Sequence, residues 1–72
     1  MDKEVKQIGQ NYFLFENGLP KLKLNETSAF IIERKLNGIS NSEIAQSLAN
    51  EYDIKYEVAL NDVSDFLSSI EL

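Results

Sequence analysis

The chain has 72 residues, with twelve acidic and seven basic side chains for a formal charge of −5, 43% hydrophobic and 26% charged residues, and neither histidine nor cysteine. Such a length implies a single domain, residues 1–72, with a thin stability margin, and the hydrophobic content is that of a packed globule rather than a disordered chain. Disulfides, thiolate or imidazole metal sites and the commonest general base are excluded, and the acidic balance disfavours a nucleic-acid backbone as partner.

From Val5 to Leu24 the chain reads as three strands, "VKQIGQ", "YFLFE" and "LPKLKL", separated by turn chemistry at Gly9 to Asn11 and at Asn17-Gly18. The Asn-Gly pair predicts a tight hairpin, because both residues tolerate the positive φ of a type I′ turn. Tyr12 to Phe15 is apolar on both faces, which predicts a central strand covered at least partly on each side. Pro20 stands near the start of the third strand, where a missing amide donor is tolerable. Strand alternation places Pro20, Leu22 and Leu24 on one face and Lys21 and Lys23 on the other.

Three helical segments follow. Asn25 caps the first, Ala29, Ile32 and Leu36 form its apolar stripe with Phe30 and Ile31 at the flanks, and Gly38 stops it. In the second, Ser40 and Glu43 have capping-box spacing, and Ile39 and Ile44 occupy the positions of a hydrophobic staple. Its inner face is Ile44, Ala45, Leu48, Ala49 and Tyr52. The third runs from about Tyr56 to Ile70, with Ala59, Val63, Phe66 and Ile70 in line and Tyr56, Leu60 and Leu67 on a shoulder. That stripe is wider than one neighbouring helix needs. Glu57, Asp62, Asp65 and Glu71 fall mostly on the solvated side. Strands followed by helices predict an α+β fold, winged-helix-like, with a three-stranded antiparallel sheet followed by three helices.

At "LNETSAFIIERKLNG", "NSEIAQSLANEYDI" and "ALNDVSDFL" the chain resembles the PqqD-like family, the RiPP recognition elements, where RiPPs are ribosomally made and post-translationally modified peptides. The resemblance covers residues 12 to 70. It implies a non-catalytic module that binds the leader segment of a precursor peptide as a strand added to the third strand, beside the third helix, and delivers it to a modifying enzyme such as a radical-SAM enzyme, a cyclase or a protease. Carried over residue by residue, it places binding at Pro20, Lys21, Leu22, Lys23 and Leu24 for the strand edge, and at Tyr56, Leu60, Val63, Ser64 and Leu67 for the helix face. The family often has an acidic cap and a proline where this chain has Lys55-Tyr56, so the last helix starts without a good cap.

Without the family, the residues still point to an edge. An outer strand leaves amides and carbonyls that invite another strand, and lysines there blunt self-association. Lys21 and Lys23 would also form a positive patch suited to an acidic leader. A ladder hydrogen bond nets only about 0.5–1.5 kcal/mol, whereas a buried large apolar side chain contributes about 1.5–3 kcal/mol, so specificity is expected on the helix side. Ala59, Phe66 and Ile70 read as ordinary core. No phosphate loop, metal-spaced cluster or nucleophile with a base occurs, which predicts no enzyme activity and no cofactor or metal. The competing reading is a winged-helix nucleic-acid binder, yet its recognition helix would present Glu57, Asn61, Asp62 and Asp65 to DNA. The opening "MDKEVKQIGQ" lacks the apolar core of a signal peptide, and no apolar run is long enough to span a bilayer, so a cytoplasmic location without membrane partners is expected.

Overall fold

A computed structural model describes residues 2–70, so Glu71 lies outside the described residues. Strands β1 (Lys3–Ile8), β2 (Asn11–Glu16) and β3 (Leu19–Leu24) are followed by helices α1 (Glu26–Leu36), α2 (Asn41–Tyr52) and α3 (Tyr56–Ser69). The sheet is antiparallel in the order β1-β2-β3, the expected α+β arrangement. Asn17 and Gly18 both take positive φ, 54° and 81°, as a type I′ turn requires.

The third strand departs from simple alternation. Leu14 pairs with Leu22, but Phe15 pairs with Pro20, so Lys21 is the extra residue of a β-bulge. Directly opposed residues share a face, which puts Leu22 and Leu24 with Leu14 and Tyr12 on the inner side, and Pro20 and Lys23 with Phe15 and Phe13 on the outer side. The expected grouping of Pro20 with Leu22 and Leu24, and of Lys21 with Lys23, is therefore corrected. The alternation is broken in mid-strand.

Among the described residues, the inner face of the sheet is the one that meets a helix, through Leu14, Leu24, Ala29 and Ile32 of one buried cluster. On the outer face Phe13 and Phe15 are half-buried by each other, edge to face at 6.5 Å between ring centroids, and by Lys6, whose ammonium lies 4.8 Å from the Phe15 ring. The double-sided apolar pattern of β2 thus reflects one helix-covered face and one self-covered face.

Helix starts and stops follow local chemistry. Asn25 Oδ1 accepts from the Ser28 amide at 2.7 Å. Gly38, with φ +81°, closes α1, its amide donating to the Lys35 carbonyl at 3.0 Å while the Ile39 amide donates to Arg34 at 3.2 Å. Ser40 Oγ accepts from the Glu43 amide at 3.2 Å, and the Glu43 carboxylate takes the Ser40 hydroxyl at the same distance. The side chain of Lys55 makes no capping bond at the start of α3, as expected of a lysine there. Asp53, in the left-handed region at φ 53°, ends α2 without a glycine.

Helix α1 lies between two clusters. Ala29 and Ile32 face the sheet, while Ile31, expected at the flank, is buried with Ile44, Ala45, Leu48, Ala49, Ala59 and Val63 among the helices. Phe66 packs against both clusters and Ile70 against the sheet cluster, which explains the broad stripe of α3. Tyr52, expected on the inner face of α2, is 36% exposed and instead meets the edge of Phe30 at 6.0 Å.

Candidate functional site

Strand β3 has a neighbour on one side only, so its outer edge is unpaired among the described residues. The backbone phase follows from one bond beyond the sheet: the Asn17 amide donates to the Asp2 carbonyl at 2.7 Å, extending the β1–β2 ladder. Odd-numbered residues of β2 thus bond toward β1, and even-numbered ones bond toward β3. Lys23 and Pro20, opposite the odd residues Phe13 and Phe15, therefore turn their polar backbone groups outward. Lys23 offers both an amide and a carbonyl; Pro20 offers only a carbonyl. The open edge is short and is centred on Lys23.

Beside this edge lies a cleft of about 250 Å³ lined by Leu14, Lys21, Leu22 and Ile70. Leu22 is 42% exposed, Ile70 half-buried and Leu14 buried, which makes an apolar floor with an accessible rim. Its volume lies below the roughly 300–1,000 Å³ usual for small-molecule pockets.

The two lysines of β3 have different surroundings. The Lys21 ammonium sits 3.0 Å from the Glu16 carboxylate, and Lys3 approaches the same group at 3.7 Å. Hydrogen bonding and charge from Lys21, aided by Lys3, hold the Glu16 carboxyl below the usual carboxylate range. Lys23 has no ion pair among the described residues. The expected two-lysine patch thus reduces to one uncommitted cation.

The structure gathers only part of the expected residue set. Leu24 is buried in the sheet cluster, leaving its backbone rather than its side chain at the surface. Val63 is fully buried among the helices, so it supports α3 from behind and lines no surface. Leu60 and Leu67 are half-buried against that same helical cluster. Ser64 is half-buried, and its carbonyl accepts from the Ser68 hydroxyl at 2.8 Å. Tyr56 is 38% exposed at the far end of α3, about 21 Å along the helix axis from Ile70 at 1.5 Å per residue. Neither Tyr56 nor Leu60 lines the cleft. Leu14 and Ile70 do, and sequence reasoning assigned neither to the site. The available signal for Ile70 was its place in the last turn of an over-wide apolar stripe.

Fold and site together define a small α+β domain with an unpaired strand edge flanked by an apolar cleft. The chain matches the family model described as Coenzyme PQQ synthesis protein D (PqqD) over residues 14–71. It belongs to the PqqD family. The matched span takes in half of β2, all of β3 and the three helices. No curated protein and no solved structure matches the chain.

Proposed function

We propose that this protein is a non-catalytic peptide-binding module that recognises the leader of a ribosomally synthesised, post-translationally modified precursor by strand addition to β3, and presents it to a modifying enzyme. The observation that carries this reading is the outward-facing backbone of Lys23 beside the apolar cleft of Leu14, Leu22 and Ile70. Membership of the PqqD family supports a role with a peptide and a maturation enzyme.

The energetics favour a shared task for edge and cleft. Ordering a flexible peptide costs about 2–5 kcal/mol or more, and a short ladder at about 0.5–1.5 kcal/mol per bond hardly offsets it. Apolar guest side chains that sink against Leu22 and Ile70 add about 1.5–3 kcal/mol each when fully buried, which tips the balance. The ladder aligns the guest, and the cleft selects it.

The test is a titration of isotope-labelled protein with the precursor peptide encoded beside its gene. The amides of Leu22, Lys23 and Ile70 are expected to shift in a saturable manner. Binding that leaves these three unmoved, or shifts confined to the outer sheet face around Phe13 and Phe15, would reject strand addition at β3.

A further inference from the structure

We infer that the guest surface continues past the ladder, at Lys23 and Leu24, into an amide-lined groove that selects uncharged polar side chains, so that the recognised segment is bipartite. It carries a large apolar residue opposite Leu22 and an Asn, Gln, Ser or Thr beyond the position opposite Leu24. This inference rests on the strand-addition reading of β3.

The hollow in question has a volume of about 610 Å³ and lies around the Leu24 end of β3, next along the strand from the apolar cleft at Lys21 and Leu22. Four amide side chains line it: Gln7, Gln10, Asn11 and Asn25. Each amide both donates and accepts, which suits another amide or a hydroxyl. Among the described residues, Gln7 commits only its Nε2, to the Gly9 carbonyl at 3.2 Å, and Asn25 commits only its Oδ1, as the α1 cap. Gln7 Oε1 and Asn25 Nδ2 remain for a guest, and Gln10 and Asn11 lie exposed in the turn and at the start of β2. The turn itself does not call for these amides. Its unusual backbone is at Gly9, with φ +64°, and Gln10 and Asn11 both keep negative φ. Lys23 and Glu26, one of each sign, also line the groove, so its formal charge cancels and an ionic guest gains little.

Lys23 connects the two regions, because its outward backbone belongs to the open edge and the residue also lines the groove. Leu22 and Leu24 are two residues apart, about 6.6 Å along a strand. A guest paired to β3 thus passes from apolar to polar surroundings within three or four of its own residues. Two amide hydrogen bonds at the usual net strength correspond to a preference of about tenfold or more for a polar over an aliphatic residue at that position.

The experiment pans a random-peptide phage library against the wild-type protein and the Gln10→Ala/Asn11→Ala variant, with the single variant Gln10→Leu as a second comparison in case the double variant unfolds. Peptides selected on the wild type are then synthesised, and their affinities are measured alongside amide shifts. The expected result is a large apolar residue with an Asn, Gln, Ser or Thr three or four positions away, about 10–13 Å along an extended strand. Changing that polar residue to valine should then weaken wild-type binding about tenfold and variant binding far less. Peptides that shift Leu22 and Lys23 yet show no polar preference, or that lose affinity equally on both proteins, overturn the bipartite inference while strand addition stands. Selected peptides that leave Leu22 and Lys23 unshifted overturn strand addition itself, and the inference with it.

Discussion

Leu22 lines the cleft beside β3 and Glu16 pairs with Lys21, so substitutions at these two residues of one hairpin read different properties. Leu22 is 42% exposed in the free protein, so replacing it by serine forfeits little folding energy, within about 0.5 kcal/mol for an exposed site. The same change removes an apolar wall that a guest would bury, which predicts at least a tenfold loss of guest affinity with an unchanged urea midpoint. Parallel denaturation and titration of Leu22→Ser check both halves. Glu16 behaves differently because its lowered pKa is a folded-state property, caused chiefly by Lys21. A carboxylate with a depressed folded pKa contributes stability above its unfolded pKa and loses that contribution as pH falls through the folded value. Wild type should therefore be more stable than Glu16→Gln at neutral pH, and the difference should vanish below the ordinary carboxylate range. Denaturant melts of both proteins across that window decide it, and a difference that persists in strong acid would refute the pairing with Lys21.

The elements differ in how well their ends are specified. α1 and α2 each begin with a side-chain cap, Asn25 and Ser40, whereas α3 begins at Lys55 with none. The first turn of α3 therefore leaves amide donors to water. Lys55→Asp supplies both an acceptor and a negative charge at the helix start, and should stabilise the protein by about 0.5–2 kcal/mol, read as a raised urea midpoint at constant slope. No gain would mean that the first turn is already fixed by packing. Strand β3 carries the most consequential irregularity. Its bulge at Lys21 turns Leu22 and Leu24 to the inner face and sets Lys23 as the point where donor and acceptor both face the open edge. A bulge beside a candidate docking edge is a usual device for re-aiming side chains. Alternation alone cannot reveal it, because "LPKLKL" alternates smoothly on paper and the extra residue is visible only against a partner strand.

At the scale of the whole molecule, α1 joins two small cores: one under the sheet, one among the helices, with Phe66 touching both. Neither cluster is large. Domains are stable by only about 5–15 kcal/mol, and a short chain sits toward the low end. Ile32 is fully buried under the sheet, so Ile32→Ala should cost about 2–5 kcal/mol, much or all of that margin. Circular dichroism would show this as a lost or strongly lowered melting transition, and retention of a wild-type melt would mean that the sheet cluster is not needed for cooperativity. No helix among the described residues is long and apolar enough to cross a membrane.

Element order, the Asn17-Gly18 turn, the caps at Asn25 and Ser40 and most of the helical core are legible in the amino-acid order, because each of these depends on residues within a few positions of one another. Family likeness was legible for the same reason, in blocks of local pattern. The site was legible only in part: β3 as an edge strand and the apolar line of α3 through Val63 could be read, but the bulge, the pairing of Lys21 with Glu16 and the entry of Leu14 and Ile70 into the cleft could not. Those depend on which strand lies beside which and where the end of α3 comes to rest against the sheet. Such contacts join residues far apart in the chain, and packing rather than local preference decides them.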